Sequence, residues 1–178
     1  MNGYGGKDIA RAFGTVRKNT QQIAEEIPED KYGFAPAPGT RTVAETLMHL
    51  AVTPRLQLHM HGEKRLTTLE GFDFFGYWGG LAAEAQKPRS KAEILERLRT
   101  SGEEFVRWTE GLSDEFLAER VAYPPGMEPS SKTRFEMIIS AKEHEMHHRG
   151  QLMLVERILG ITPHLTRQMM ARIEERQK

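Results

Sequence analysis

Two histidines four residues apart, His144 and His148, have the residue type and spacing that most directly suggest chemistry. On an α-helix the second lies about 40° around the axis from the first, so both imidazoles project from one side. The apolar residues of the segment occupy the same side: Met137, Ala141, Leu152, Val155 and Leu159. A buried polar group without a partner costs roughly 1–3 kcal/mol. The pair therefore predicts either hydrogen-bonded core histidines or two ligands of one divalent metal ion.

His49 is predicted to be the third ligand. It lies near the edge of an apolar helical face that contains Val43, Leu47 and Leu50. Three imidazole ligands leave positions on the ion open for water or a substrate. His59 follows about 15 Å further along a straight helix, so it cannot join His49 at one ion.

The other histidines are not expected to bind the ion. His59 and His61 are predicted to be polar tips at a helix end, where a positive charge interacts favourably with the helix dipole. His164 is expected at the surface or in a helix cap, in the first turn of the last helix. His147 lies on the flank of the apolar stripe, about 60° from His144.

Several residues near the predicted ligands have two interpretations each. Gln151 lies about 20° from His144 on the same stripe, so it is expected either to orient a bound water or substrate or to make a core hydrogen bond. Arg149 points away from the ligands and is predicted to be a surface or inter-helix contact. Tyr77 and Trp78 are expected either to line a pocket or to pack beneath a loop.

The segment from His144 to His148 also matches H-E-x-x-H, the zinc motif of metalloproteases, in which Glu145 would be the general base. Its longer form needs Gly and His where this chain has Gln151 and Leu154. Glu145 also lies about 100° from His144, away from the ligand side. No sheet that could bind an extended peptide is predicted. The protease interpretation is therefore disfavoured, although spacing alone does not exclude a distant Glu ligand.

Helices must position these residues, because apolar side chains recur at helical steps along most of the chain. Capping boxes begin three of them: Thr42 with Glu45, Ser90 with Glu93, and Thr133 with Glu136. The predicted helices cover about 7–27, 42–61 with a kink at Pro54, 73–85, 90–111, 133–160 and a last helix with Thr162 as N-cap and Pro163 at its first position. No strand pair is predicted, and 119–123 is at most a short extended piece. We therefore predict an all-α fold, a four-helix bundle with an additional C-terminal helix, as a single domain over 1–178.

Composition excludes several function classes. The chain has no cysteine, so disulfides, thiolate ligands and cysteine nucleophiles are excluded, and any thiol chemistry needs an exogenous thiol. Lys plus Arg and Asp plus Glu are both 25, and this balance gives no electrostatic argument for a nucleic-acid partner, so none is predicted. No signal peptide or membrane span is apparent. The sequence therefore predicts a cytoplasmic protein with no membrane partner.

Four stretches together resemble the DinB-like (YfiT-like) superfamily. They are Ala44–Leu50, which contains His49, then His144–Leu152 with its His-x-x-x-His-Arg-Gly-Gln pattern, the loop 32–43, and the ending 158–163. The resemblance implies an up-down-down-up four-helix bundle with a long crossover. It also implies a three-histidine site at His49, His144 and His148 for nickel, zinc or another divalent ion such as iron or manganese, and a homodimer.

Characterised relatives of that superfamily include S-transferases and an isomerase that use low-molecular-weight thiols, and some members are described as metal-dependent hydrolases. The first hypothesis is accordingly an enzyme whose metal activates a thiol or water against a small electrophilic substrate. The alternatives are a non-catalytic metal- or ligand-binding module and a structural dimer whose histidines fill the core.

Overall fold

The protein is described here by a computed structural model that covers residues 3–177. Its α-helices are α1 (Gly6–Glu26), α2 (Val43–Val52), α3 (Pro54–Gln57), α4 (Phe74–Ala85), α5 (Lys91–Glu110), α6 (Asp114–Ala118), α7 (Arg134–Ile158) and α8 (His164–Arg176). A 3-10 turn covers Glu29–Lys31, and a π-helical segment covers Leu58–Glu63. Two short strands, β1 (Arg120–Ala122) and β2 (Ser131–Thr133), complete the described elements.

All three predicted capping boxes are present. At the start of α2, the Thr42 hydroxyl accepts a hydrogen bond from the Glu45 backbone N–H at 3.2 Å, and the Glu45 carboxylate accepts one from the Thr42 backbone at 2.7 Å. Reciprocal bonds of this kind begin α5 and α7. These bonds satisfy backbone donors that have no partner within the helix, so the starts of the ligand-bearing helices are fixed locally.

The two ends of the bundle show how its four long helices run. One core cluster joins the end of α1 to the starts of α2 and α5 and to the end of α7, through Ile27, Val43, Ile94 and Val155. The opposite cluster joins the start of α1 to the end of α5 and the start of α7, through Phe13, Phe105 and Ile138. Helices α1 and α7 therefore run one way and α2 and α5 the other, which confirms the up-down-down-up four-helix bundle.

Pro54 was predicted to kink the second helix, and in the structure it interrupts that helix. Helix α2 ends at Val52, α3 begins at Pro54, and the chain then continues as a π-helical segment that the sequence analysis did not anticipate. Proline has no backbone N–H, so Pro54 cannot donate to the carbonyl of Leu50 one turn earlier. The side chain of Arg17 supplies that bond instead, with its Nη2 at 2.9 Å from the Leu50 oxygen.

The prediction that no strands pair is wrong. β1 and β2 form an antiparallel ladder with Val121 opposite Lys132, and Thr68 in the crossover bridges to Ala122. Three-residue strands are too short to show an alternating pattern in sequence, and their pairing depends on the intervening turn. The short helix α6, capped by Ser113, was not predicted either.

The long connection between α2 and α5 contains α4, which agrees with the predicted helix at 73–85. Trp78 and Tyr77 from α4 pack against a third cluster built on Leu56, Met60 and Met137. Helix α8 begins at His164 with Pro163 in the N-cap position, one residue later than predicted. Within residues 3–177, no helix is long and apolar enough to cross a membrane.

Candidate metal centre

Two helices bring the three predicted ligands together. His144 and His148 lie one turn apart on α7, and His49 lies on α2 directly opposite them. The three ring centroids are 4.6–4.9 Å apart, and one ring nitrogen of each lies within 4.8 Å of the others. His49 and His148 are buried and His144 is half-buried. We call His49, His144 and His148 the histidine triad.

The nitrogen geometry of the triad fits a cation. The Nε2 atoms of His49 and His144 are 3.0 Å apart, a distance at which two lone pairs repel unless a proton or a metal ion lies between them. Two imidazole nitrogens, each about 2.0–2.1 Å from one ion, are separated by about 3 Å when the angle between them is near 90°. The other nitrogen of His144, Nδ1, is buried without a hydrogen-bond partner in the described structure.

Burial keeps the triad in the form that binds metals. Burial is the largest cause, and with smaller contributions from nearby charges such as Arg41 it lowers the pKa of His49 to about 3 and that of His144 to about 4. Burial also lowers the pKa of His148, partly offset by its hydrogen bond to Gln151. At neutral pH the three rings are therefore uncharged, with nitrogen lone pairs available to an electrophilic ion.

Gln151 orients His148. Its amide oxygen accepts a hydrogen bond from His148 Nδ1 at 2.7 Å, so the proton is on Nδ1 and the lone pair of Nε2 is free. The Gln151 amide nitrogen in turn donates to Nε2 of His147 at 3.1 Å. Gln151 is exposed rather than in the core. Its hydrogen bond to the predicted ligand His148 therefore lies at the edge of the site rather than in the core.

The Glu145 carboxylate forms a buried ion pair with an arginine. Arg17 Nε lies 2.8 Å from one Glu145 oxygen, and Arg17 Nη2 lies 2.8 Å from the other. The same guanidinium donates to the Leu50 and Leu98 carbonyls and to the Ser101 hydroxyl. With its carboxylate held in this buried pair, Glu145 is not available as the general base that the H-E-x-x-H interpretation needs.

Arg17 links all four long helices next to the triad. It lies on α1, and its partners lie on α2, α5 and α7, where Leu50 follows His49 and Glu145 follows His144. Gly102 makes room for it, because a Cβ there would lie 2.7 Å from Arg17 Cγ. The role of Arg17 was not predicted from the sequence. The available signal was a charged residue in the apolar stripe of α1, four residues after Phe13.

The two aromatic candidates have different surroundings. The Trp78 ring lies edge-on to His49 with ring centroids 5.6 Å apart, so it forms a wall of the site. Tyr77 instead stacks on His59 at 4.1 Å. His59 also contacts Glu63 at the end of its helix, in agreement with the prediction that it is not a ligand.

Two histidines lie elsewhere than predicted. His61 is fully buried, because the π-helical segment turns it inward, where its Nδ1 lies 3.0 Å from Arg134 Nη1. His164 is 1% exposed, since α8 folds back against α1 and places its Nε2 3.3 Å from Asn19 Oδ1. The predictions of polar tips for His61 and of a surface or cap position for His164 are therefore wrong. Exposure at a helix end depends on tertiary packing that local sequence does not specify.

Cavities lie on both sides of the triad along α7. One, of about 650 Å³, is lined by His148 and Gln151 together with Arg41 from the loop before α2. The other, of about 540 Å³, is mostly apolar and includes Ser140, one turn before His144. Arg41 was not anticipated, because its place beside the triad depends on how the loop packs. The arrangement allows a small molecule to approach the triad.

Comparison with known proteins gives a family and a fold. The DinB superfamily model matches residues 12–152. The uncharacterized protein YjoA of Bacillus subtilis is 22% identical over 86% of this chain and 90% of its own length, and its crystal structure superposes with a TM-score of 0.63. YfiT from Bacillus subtilis, described as a probable metal-dependent hydrolase with an unusual four-helix bundle topology, has a TM-score of 0.69 at 15% identity, over 91% of each chain.

A third similar structure corrects a prediction. The colibactin self-resistance protein ClbS, crystallised in complex with a dsDNA, has a TM-score of 0.65 at 16% identity over 88% of this chain and 98% of its own. The expectation that nucleic acid is excluded as a partner is therefore wrong. Net charge is a sum over the whole surface, whereas phosphate contacts depend on local basic side chains. The matched residues 12–152 include every member of the triad, and the chain belongs to the DinB superfamily.

Proposed function

We propose that the histidine triad binds a divalent metal ion and that the chain is a metal-dependent enzyme acting on a small electrophilic substrate. The observation that carries this proposal is the convergence of three uncharged imidazoles, two of them with Nε2 atoms 3.0 Å apart, beside an open cavity. A bound ion would supply Lewis-acid activation of an exogenous thiol or of water. The reaction would accordingly be of the S-transferase or hydrolase type.

The residues of the chain have defined tasks in this proposal. His49, His144 and His148 hold the ion, and Gln151 fixes the ring orientation and tautomer of His148. Arg17 holds the backbone beside His49 and the side chain beside His144, which keeps the two ligand-bearing helices in register. Trp78 limits solvent on one side of His49. The description of YfiT as a probable metal-dependent hydrolase supports the same class.

The primary experiment measures metal content in protein purified without a His tag. We expect about one equivalent of divalent metal in the wild type and in His59→Ala, which removes a histidine outside the triad. His144→Ala should lose the metal while remaining folded, as judged by circular dichroism. Full metal content in His144→Ala would overturn the proposed ligand set.

The reaction type requires a second measurement. Turnover of small electrophiles is measured with and without added thiols, after loading with Ni²⁺, Zn²⁺ or Mn²⁺. Turnover that needs both metal and thiol indicates an S-transferase, whereas metal-dependent turnover without thiol indicates a hydrolase. Turnover that persists after metal removal contradicts metal-dependent catalysis. The identity of the ion, the homodimeric state and the cytoplasmic location stay predictions.

A further inference from the structure

The cavity of about 650 Å³ beside the triad is lined by one arginine and, among the described residues, by no acidic side chain. Arg41 provides the charge, and His148 and Gln151 provide the boundary with the triad. Apolar side chains form most of the remaining wall: Pro36, Val43, Leu152, Leu154 and Val155. Arg41 is exposed, so its guanidinium is accessible to an anionic group that enters the cavity.

The guanidinium of Arg41 has no partner among the described side chains. Within residues 3–177 it makes no side-chain hydrogen bond and no ion pair. Glu45 is near enough for the Arg41 charge to contribute to lowering its pKa, but the Glu45 carboxylate is bound to Thr42 in the capping box. The contrast with Arg17, all of whose partners are internal, indicates that Arg41 is available to a ligand.

The charge of Arg41 also acts on the triad. Arg41 and His148 line the same cavity, so the guanidinium and the triad share one electrostatic environment. An ion at the triad would add positive charge on the other side of the same cavity. A ligand held between the two is therefore favoured when it carries a negative group at the Arg41 end, where a planar guanidinium pairs well with a carboxylate or phosphate.

We propose that the Arg41 cavity is a subsite for an anionic group, a carboxylate or phosphate, on the small molecule that the triad acts on. This inference rests on the proposed function and names the substrate class for the same site. The reacting end lies at the triad, and the anionic end pairs with Arg41. Selectivity for anionic over neutral molecules then comes from a residue outside the histidine motif.

The test uses two thiols of the same shape, 3-mercaptopropionate and the neutral 3-mercaptopropionamide. Each is titrated into Co²⁺-loaded protein, and the near-ultraviolet thiolate-to-cobalt absorption gives its affinity. We expect wild type to bind the carboxylate roughly 10-fold more tightly than the amide, as one charge-assisted pair allows. Arg41→Gln should remove this preference with cobalt content unchanged, and Arg41→Lys should keep part of it.

Arg172→Gln is the matched control, because it removes one positive charge from the exposed part of α8. It should leave the preference intact, and raised salt should weaken the preference only in proteins that keep Arg41. Equal affinities for the two thiols in wild type, or an unchanged preference in Arg41→Gln, would overturn the anionic subsite. If inorganic phosphate displaces 3-mercaptopropionate as effectively as acetate does, the subsite accepts phosphate groups in addition to carboxylates.

Failure of the proposed function has a different outcome. If the protein binds no cobalt, or neither thiol produces the absorption band, the metal or thiol hypothesis fails. Calorimetry of the same two compounds with metal-free protein then decides the subsite alone. A preference for the carboxylate that disappears in Arg41→Gln still supports it, and equal binding contradicts it.

Discussion

Helix α7 carries two polar centres at adjacent residues, and they differ in how their polar atoms are satisfied. Glu145 is 2% exposed, and both of its oxygens accept hydrogen bonds from Arg17. His144 precedes it, yet its Nε2 faces another imidazole nitrogen and its Nδ1 has no partner among the described residues. The first centre is complete within the protein, whereas the second has nitrogen atoms that the proposed metal ion would satisfy.

The difference separates a structural role from a binding role. Buried charge is costly unless it is paired and fully hydrogen-bonded, and the Arg17 centre meets that condition. The triad has no such charged partner, and one ring nitrogen of each histidine lies within 4.8 Å of the others. Removing a partner should therefore destabilise the fold at the first centre and abolish ligand binding at the second.

The largest effect is expected at Arg17. Arg17→Met leaves the Glu145 carboxylate buried without its partner and should lower the free energy of unfolding by about 3–5 kcal/mol. The measurement is urea denaturation of metal-free protein at pH 7. Arg99→Met removes an exposed arginine paired with Glu96 and Glu103, and should lower the free energy of unfolding far less, because exposed ion pairs contribute little.

A double variant makes this comparison sharper. Arg17→Met with Glu145→Leu removes both charges and should recover part of the loss. Recovery should be incomplete, because the carbonyls of Leu50 and Leu98 lose the donor that Arg17 supplied. If the single variant is as stable as wild type, Arg17 does not have the structural role given to it here.

The next effect separates the triad from the Arg17 centre. A divalent ion that binds only the folded protein should raise the free energy of unfolding by about 2.7 kcal/mol at 100 times its Kd. His144→Ala should lose this metal-dependent gain. Its stability without metal should change far less than that of Arg17→Met. A metal-dependent gain of wild-type size in His144→Ala would contradict the comparison.

A smaller effect is expected at Gln151, which touches a ligand without belonging to the triad. Gln151→Ala removes the acceptor for His148 Nδ1 and should weaken metal binding by about 10- to 100-fold. Competition with a chelator measures this change. Gln151→Glu keeps an acceptor at that position and should retain tight binding, whereas equal losses in both variants would assign Gln151 a role in packing only.

The sequence allowed the triad to be predicted because its information is local. The positions of His144 and His148 follow from helical periodicity, and the capping boxes at Thr42 and Thr133 locate the starts of their helices. Neither helical periodicity nor capping motifs predict the contacts between distant segments of the chain. Arg17 and Glu145 are 128 residues apart, and their pairing depends on how α1 packs against α7.

The wrong predictions concern features that also depend on contacts between distant segments. His61 and His164 both lie near helix ends that local sequence identifies, but burial by Arg134 and by α1 follows from tertiary packing. β1 and β2 are too short for their alternation to be recognised. Arg41 is an ordinary loop residue in sequence, and only the fold places it in the cavity beside His148.

Glu156 extends the comparison to a second buried carboxylate on α7, one that lacks an arginine partner. It is fully buried, and neither of its oxygens has a hydrogen-bond partner among the described residues. Burial and, to a smaller extent, the nearby Glu26 charge raise its pKa to about 7 against the opposing effects of Arg167 and Arg157. His164, whose pKa is lowered chiefly by burial, is also buried in this part of the fold.

The smallest predicted effect follows from this raised pKa. The folded protein keeps the Glu156 proton between its ordinary pKa of 4.5 and about 7, whereas the unfolded chain loses it, so this residue makes stability fall across that interval and stay level above it. Glu156→Gln cannot ionise. It should therefore gain on the order of 1–2 kcal/mol over wild type at pH 8 and little at pH 4.5. Denaturation at several pH values measures the difference, and Glu175→Gln, at the exposed end of α8, should show none. A difference in stability that does not change with pH would show that the pKa of Glu156 is not raised in the folded protein.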